Sequence, residues 1–267
     1  MSEPSKQTIY TNGYDESVLK SHRWRTLENS AKYLLPHLNK SMSVLDIGSG
    51  AGTITLDFVP LVARVTGLEI SKEAMDLTLQ EAARQGVDID TAIGDVHALP
   101  FHDNAFDVVH AHQVLQHVAN PIVALREMRR VTKQGGLVAA CDTDFGVASW
   151  FPEDALLEEW SQMFQTVARS NGAEPNAGRR LLYWAMEAGF TDVEPGASTW
   201  CFATTESREY WGGMWGTRIL TSSINDQAKA RGYTHKKLEA MSAAWQRWVE
   251  SPYGWFMMPH GTILARK

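Results

Sequence analysis

The sequence predicts an α/β fold built on a doubly wound, mostly parallel sheet. Three observations carry that expectation. Short apolar runs alternate with helical patterns between residues 44 and 141, the first run ends in three closely spaced glycines, and later runs end on acidic residues. Alternation of strand and helix is the order of a parallel sheet covered by helices on both faces.

The elements follow in order. Residues 8–38 come first, with Asn12-Gly13 as a turn signal and a helical pattern over 18–35. Leu27, Ala31, Leu34 and Leu35 form its apolar face, and Pro36 is its expected stop. This helix is expected to pack over a ligand site. Apolar runs at 44–47, 65–70, 89–93, 106–110 and 136–141 are the expected strands. Between the second and third, Ser71 suits a helix cap, Glu73 its first turn, and Met75, Leu79, Ala82 and Ala83 one face. Asn120-Pro121 opens the next helix, with Leu125, Met128 and Val131 on one face and Gly135-Gly136 as its end.

Beyond Cys141 the pattern changes. Leu156, Trp160, Met163, Phe164 and Val167 make a helical stripe closed by Asn171-Gly172. A second helix is expected over 179–188 with Gly189 as its stop, then an extended segment over 191–202. Residues 204–254 are mostly helical, with Leu238, Met241, Trp245 and Trp248 as one stripe, and "HGTILARK" ends the chain as a short strand. Of ten tryptophans, only Trp24 precedes Trp150. The first part therefore reads as a regular α/β unit, and the second as specialised for packing or for an apolar ligand.

Composition narrows the function classes. In 267 residues, 44% are hydrophobic and 21% charged, enough for a well-packed core. A net charge of -6 argues against nucleic-acid binding, which favours a basic face. No run of ~18 apolar residues predicts a membrane span. The polar start of the chain lacks an apolar signal region, and Cys141 and Cys201 form neither a disulfide framework nor a metal set. A cytoplasmic protein is expected, and no metal site.

The chemistry begins in "VLDIGSGAGT". Gly48, Gly50 and Gly52 permit a tight turn and a close approach of backbone to ligand at the C-terminal end of a strand. A dinucleotide fingerprint needs a glycine where Thr53 stands. Asp46 sits just before the loop, where it would repel a pyrophosphate and suit a ligand bearing an α-amino group or a sulfonium. Glu69, at the end of the second run, can accept both hydroxyls of a ribose, which fits NAD equally well. Asp95, after the third, can accept from an exocyclic amine such as that of adenine. An NAD-dependent oxidoreductase remains the competing reading of this loop.

"VLDIGSGAGT", "GLEIS", "GDVHALPF", "HDNAFDVV", "VLQHV" and "REMRRVTKQGG" together resemble the class I S-adenosylmethionine-dependent methyltransferases. The likeness is greatest to the small-molecule group related to the ubiquinone/menaquinone C-methyltransferases, strongly over residues 34–141 and more weakly beyond. It implies a Rossmann-like seven-stranded sheet whose last strand is antiparallel. It implies S-adenosyl-L-methionine as cofactor, with Gly48, Ser49, Gly50, Gly52 and Thr53 at the methionine end, Glu69 and Ile70 at the ribose, and Asp95 and Val96 at the adenine. His112 and Gln113 would approach the sulfonium. It divides the chain into an N-terminal segment over the site (1–39), a cofactor-binding core (40–142) and a remainder (143–267) with substrate-covering insertions at about 143–175 and 204–256.

Methyl transfer from a sulfonium asks the protein mainly to align the partners and manage the acceptor's proton. In "HAHQVLQHV", His110 lies within a strand and reads as structural, whereas His117 lies beyond it. In the similar phosphobase N-methyltransferases a histidine at this element pairs with an N-terminal tyrosine to latch the site, so Tyr14 and His117 are the expected catalytic pair. Asp142 and Asp144 suit a cationic group or metal on one reading and turn capping on another. Trp150, Trp211 and Trp215 are expected to line an apolar or aromatic substrate pocket, whereas Trp184, Trp200, Trp245 and Trp248 are expected in the core. A partner that is a small molecule, with neither nucleic acid nor membrane span, is the corresponding expectation. A cofactor-binding regulatory protein without catalysis is the other alternative.

Overall fold

A computed structural model describes residues 24–267. Its strands are β1 (Ser43–Ile47), β2 (Arg64–Glu69), β3 (Asp90–Ile93), β4 (Phe106–His112), β5 (Thr132–Thr143), β6 (Ser149–Phe151), β7 (Asp192–Phe202) and β8 (Trp255–Arg266). Strands β3, β2, β1, β4 and β5 lie side by side and parallel. β8 then runs antiparallel between β5 and β7, and short β6 pairs with the start of β8. The expected Rossmann-like α/β sheet, with one reversed strand, is therefore present.

Among the described residues the helices are α1 (Leu27–Ser30), α2 (Thr53–Asp57), α3 (Lys72–Gln85), α4 (Pro121–Val131), α5 (Ala155–Ser170), α6 (Leu181–Glu187), α7 (Thr205–Thr221), α8 (Ser223–Lys229) and α9 (His235–Glu250). Their ends have local causes. Ser71 Oγ accepts from Ala74 N at 3.2 Å to open α3, and Gly86 closes it at φ 68°. Asn120 Oδ1 accepts from Val123 N at 3.1 Å, and Pro121 takes the first position of α4.

Three apolar clusters follow from this order. One joins the β-sheet to α4 and α6, with Leu125, Met128, Leu181 and Trp184. A second covers the opposite face with Leu27, Leu34, Ile54 and Phe58. The third gathers α5, α7, α8 and α9 against β7 and β8, and it is rich in aromatics: Trp160, Trp215, Trp245, Phe202 and Phe256 are fully buried. The two helical stretches after Cys141 thus share one core, which also holds Trp245 and Trp248, as expected for them.

The structure departs from expectation at several elements. The helix expected over 18–35 is broken within the described residues. Thr26 and Asn29 cap each other to start α1, Ala31 leaves helical geometry at φ -138°, and Pro36 lies inside a 3-10 helix, Lys32–His37, rather than ending one. α4 stops at Val131, because Thr132 already pairs with Phe106; Gly135, at φ 74°, lies inside β5 and not at a helix end. The final strand is longer than "HGTILARK", since Trp255 to Pro259 also find partners on β6 and β7. β4 reaches His112, so that residue ends the strand rather than following it. Asn12, Gly13 and Tyr14 lie outside the described residues.

Candidate active site

β1 and β4 are neighbours, and the chain winds outward from them to β2 and β3 on one side and β5 on the other. Ligands of open α/β sheets bind at such a reversal, beyond the C-terminal strand ends. A cleft of about 950 Å³ lies here.

Its first wall is the glycine loop. Gly48, Gly50 and Gly52 have φ of 72°, 54° and 81°, a left-handed region that L side chains rarely adopt. A Cβ on Gly48 would stand 2.6 Å from Val114 Cγ2, across the cleft on the segment after β4. The Ser49 hydroxyl meets Thr78 Oγ1 at 2.9 Å, and Thr78 donates to Gly50 O at 2.9 Å, which ties the loop to α3. Thr53 begins α2 and also lines the cleft.

The three acids are all at the cleft, but in different states. Asp46 is buried and its oxygens are engaged: Oδ2 accepts from Thr55 Oγ1 at 2.5 Å and Oδ1 lies 2.7 Å from His110 Nδ1. It is a fixed charge behind the loop, and His110 is structural, as expected. Glu69 Oε1 accepts from Gly50 N at 2.6 Å and Oε2 from Ile70 N at 3.2 Å. Burial raises its pKa, opposed by those two amides. Asp95 Oδ1 meets His97 N at 2.9 Å and His97 Nδ1 at 2.6 Å. Burial works to raise Asp95, but the His97 amide and ring outweigh it and hold the carboxyl below its usual range. His97 Nε2 in turn accepts from Asn120 N at 3.3 Å, linking this acid to the start of α4. Ile70, 59% exposed, and Val96 also line this end.

At the centre, Gln113 takes φ 55°, unusual for a side chain with a Cβ. Its Oε1 accepts from Arg25 Nη2 at 2.8 Å, and its Nε2 donates to His260 Nε2 at 3.1 Å. Burial lowers His260 to about 3, with the Arg25 charge adding to it. His112 lies alongside, stacked 6.1 Å from His260. A second relay holds His117. Thr143 Oγ1 donates to Gln116 Oε1, so the amide nitrogen of Gln116 faces His117 Nε2 at 3.1 Å as a donor. Neutral His117 thus carries its proton on Nδ1. Burial, then the Arg25 charge, lowers its pKa to about 4.

The far wall is aromatic. Phe145, Phe164, Trp211 and Trp215 line it, with Phe164 and Trp215 rings 5.2 Å apart and Phe145 and Phe164 4.4 Å apart. On α7, Trp211, Met214, Trp215 and Arg218 recur at helical spacing and all face the cleft. Trp150 does not join them. It stacks on Phe256 at 6.0 Å and meets Trp160 edge-on, because pairing of β6 with β8 turns it into the aromatic core. Asp142 and Asp144 are not in the lining either. Asp144 holds Arg179 through both oxygens, at 2.5 and 2.6 Å, and caps the turn after β5. Asp142 is buried, accepting from Gln116 N at 3.1 Å, and burial raises it to about 8 despite amide hydrogen bonds and Arg25. No group of three or more His, Cys, Asp or Glu among the described residues is placed to hold a metal.

Arg25, His97, Gln116, Thr143 and Arg218 are site residues that sequence reasoning missed. Only Arg218 carried a usable signal, its place on the Trp211–Trp215 stripe. No described helix is long and apolar enough to cross a membrane.

Comparisons with known proteins now bear on this cleft. A family model described as "Methyltransferase domain" matches residues 45–140. An uncharacterized methyltransferase of Schizosaccharomyces pombe, C1B3.06c, is 37% identical over all of this chain and 99% of its own length. The chain belongs to the class I S-adenosylmethionine-dependent methyltransferases. A demethylmenaquinone methyltransferase of Renibacterium salmoninarum is 29% identical to this methyltransferase over 66% of the chain and 76% of its own length. In fold, the methyltransferase is similar to a putative methyltransferase from Bacillus halodurans, with TM-score 0.58 and 19% identity over 88% of this chain and 97% of the other. The enzyme uses S-adenosyl-L-methionine for methyl transfer, and neither the oxidoreductase nor the regulatory alternative is favoured. The cleft fits that donor: it joins a bare-backbone loop, two strand-end carboxylates with unused lone pairs, and an apolar lip at Ile70.

Proposed function

We propose that this methyltransferase acts on a small, partly apolar or aromatic organic acceptor. The observation that carries the reading is that one cleft joins the polar strand ends of β1, β2 and β3 to a wall of Phe145, Phe164, Trp211 and Trp215. The donor supplies an activated methyl group; the chain's residues hold and align what surrounds it.

The glycine loop lets the amino-acid end of the donor approach main chain at Gly48–Gly52, with Ser49 and Thr53 beside it. Asp46 supplies a fixed negative potential behind the loop, while its engaged oxygens make it a poor direct ligand. Each carboxylate oxygen of Glu69 already accepts one amide and keeps lone-pair capacity for a ribose hydroxyl. Asp95 Oδ2 and the Val96 and Ile70 side chains suit the base. Gln113, braced by Arg25 and His260, and His112 border the reacting centre.

His117, neutral and accepting from Gln116, serves there as an Nδ1–H donor rather than as a strong base. The proposed latch with Tyr14 is compatible with that role, since a phenol oxygen accepts from such a donor. The N-terminal segment 1–39, core 40–142 and remainder 143–267 remain our proposed division. The acceptor in this reading is a small molecule and not nucleic acid.

The test is calorimetry with S-adenosylhomocysteine, then methyl transfer to a panel of aromatic phenols, amines and heterocycles. Transfer to an aromatic member, lost in Trp211→Ala, supports the acceptor assignment. Transfer only to non-aromatic polar acceptors refutes it. Tyr14→Phe and His117→Ala that both leave donor affinity and turnover unchanged refute the latch.

A further inference from the structure

The strand-end side of the cleft holds an acid whose aim is set by a neighbouring ring. Asp95 follows β3 and opens a turn in which Ala98 N donates to Asp95 O at 2.9 Å. The turn is fixed from both sides. Gly94 N donates to Glu69 O at 2.9 Å, and a Cβ on Gly94 would stand 2.8 Å from Pro100 Cδ. Leu99 N donates to Glu127 Oε2 at 2.9 Å, and Arg130 donates to Glu127 and to the Leu99 carbonyl. The stretch "GDVHALP" is therefore pinned to β2 and α4, and its main chain brings Asp95 and His97 to the cleft.

Main chain alone does not decide which carboxylate oxygen meets a ligand. His97 does. Its Nε2 lies 3.3 Å from Asn120 N, which can only donate, so Nε2 presents a lone pair and the proton stands on Nδ1. Nδ1–H then donates to Asp95 Oδ1 at 2.6 Å, the oxygen that also accepts from His97 N at 2.9 Å. Two donors on Oδ1 leave Oδ2 with lone pairs for a ligand. Burial works to raise the Asp95 carboxyl, yet the His97 amide and ring hold it below its usual range, so it accepts as an anion. Asn120 gives its own side chain to Val123 N at 3.1 Å, which fixes its place at the start of α4. The ring is thus held at one edge by α4 and holds the acid with the other.

We propose that His97 is a positioning residue for the donor's base: by occupying Oδ1 it aims Asp95 Oδ2 at an exocyclic amine, and so makes the site select a 6-aminopurine over a purine without that group. The inference rests on Asp95 meeting the adenine of the donor. A histidine that only joined the loop to α4 would support every purine alike. One that aims a single acceptor matters only where a donor faces it. Asparagine carries an amide near the position of Nδ1 and glutamine one near that of Nε2, so these two substitutions separate the two edges of the ring.

The experiment titrates the whole protein by calorimetry with S-adenosylhomocysteine and with its analogue whose purine lacks the 6-amino group. Wild type is expected to bind S-adenosylhomocysteine about tenfold or more tightly than the analogue, the size of a hydrogen bond to a charged acceptor. In His97→Ala that preference falls to within about threefold, while affinity for the analogue stays within about twofold of wild type. His97→Asn, which keeps a donor to Asp95, restores the preference; His97→Gln, which keeps only the Asn120 edge, does not. In Asp95→Ala the preference is gone, and adding His97→Ala removes nothing more, because His97 acts through Asp95. Nitrogen-15 imidazole spectra of wild type should show neutral His97 protonated on Nδ1. A preference that survives His97→Ala, an equal weakening of both ligands, or rescue by His97→Gln and not by His97→Asn overturns the inference while leaving Asp95 at the base. Should His97→Ala not fold, judged by far-ultraviolet dichroism, the Asn and Gln variants decide on the same terms. No preference in wild type would remove Asp95 from the base and overturn the inference with it. Failure to bind either ligand would undo the donor site itself, and this role of His97 with it.

Discussion

The strand-end side of the cleft and its aromatic wall solve the burial of polar groups in opposite ways. At the strand ends almost every polar atom is tied to backbone or to a near neighbour: Glu69 to two amides, Asp95 to His97, Ser49 to Thr78, Asp46 to Thr55 and His110. The wall leaves the Trp211 and Trp215 N–H groups without acceptors among the described residues. One side is preorganised for a ligand of constant shape. The other is a packed core whose inner surface doubles as a pocket, so its chemistry can change by exchanging side chains on α5 and α7 without disturbing the glycine loop.

Substitutions can break that division. The largest effect is expected from Trp215→Ala, which opens a cavity among Phe145, Trp160 and Phe164 and should cost about 3–5 kcal/mol of stability, read from denaturant unfolding. Affinity of the folded fraction for S-adenosylhomocysteine should stay within about twofold, because the change to the pocket lies on the far wall. A parallel collapse of donor affinity would mean that the two sides are one cooperative site.

Gly48→Ala attacks the other side. It places a Cβ 2.6 Å from Val114 Cγ2 at φ 72°, and a left-handed residue alone costs about 1–2 kcal/mol. Donor affinity should fall about tenfold or more by calorimetry, with the aromatic core intact by near-ultraviolet dichroism. Unchanged affinity would show that the loop does not meet the ligand.

Asp142→Asn probes the seam between the two. Burial raises the wild-type carboxyl from about 4 in the unfolded chain to about 8 in the fold. Its contribution to stability is therefore full below about pH 4 and is lost as pH rises toward 8. Asparagine keeps an acceptor for Gln116 N but does not titrate. The variant should gain on the order of 4 kcal/mol over wild type between pH 4.5 and pH 8 in denaturant titrations. A stability difference that does not change with pH would contradict the burial of a titrating acid there.

The smallest expectation is a null. His117 should show no titration above about pH 5.5 in nitrogen-15 imidazole spectra, because its folded pKa is lowered to about 4. A titration near 6.5 would restore it as a base.

Much of the strand-end side was legible. Ser71, Asn120 and Pro121 mark helix starts through chemistry confined to a few residues, and those starts lie where expected. Asp46 near the end of β1, Glu69 at the end of β2 and Asp95 just after β3 reach the cleft because a parallel sheet brings all its strand ends to one edge. The aromatic wall was not legible in the same way. Trp150, Trp211 and Trp215 look alike in sequence, yet Trp150 is turned into the core by its pairing with Phe256 while the other two face the cleft. The broken helix at α1 was missed because the Thr26–Asn29 cap interrupts an otherwise continuous apolar period.

The sequence by itself determined the fold class, the glycine-loop turn and the methyl donor, since each depends on turn geometry, strand order and motifs read over short spans. Only the tertiary structure decided that Thr143 and Gln116 set the proton of His117, that Arg25 braces Gln113, and that Arg218 ends the aromatic wall. Those contacts join segments far apart in the chain, and a helix that buries both faces shows no period that separates its core side from its pocket side.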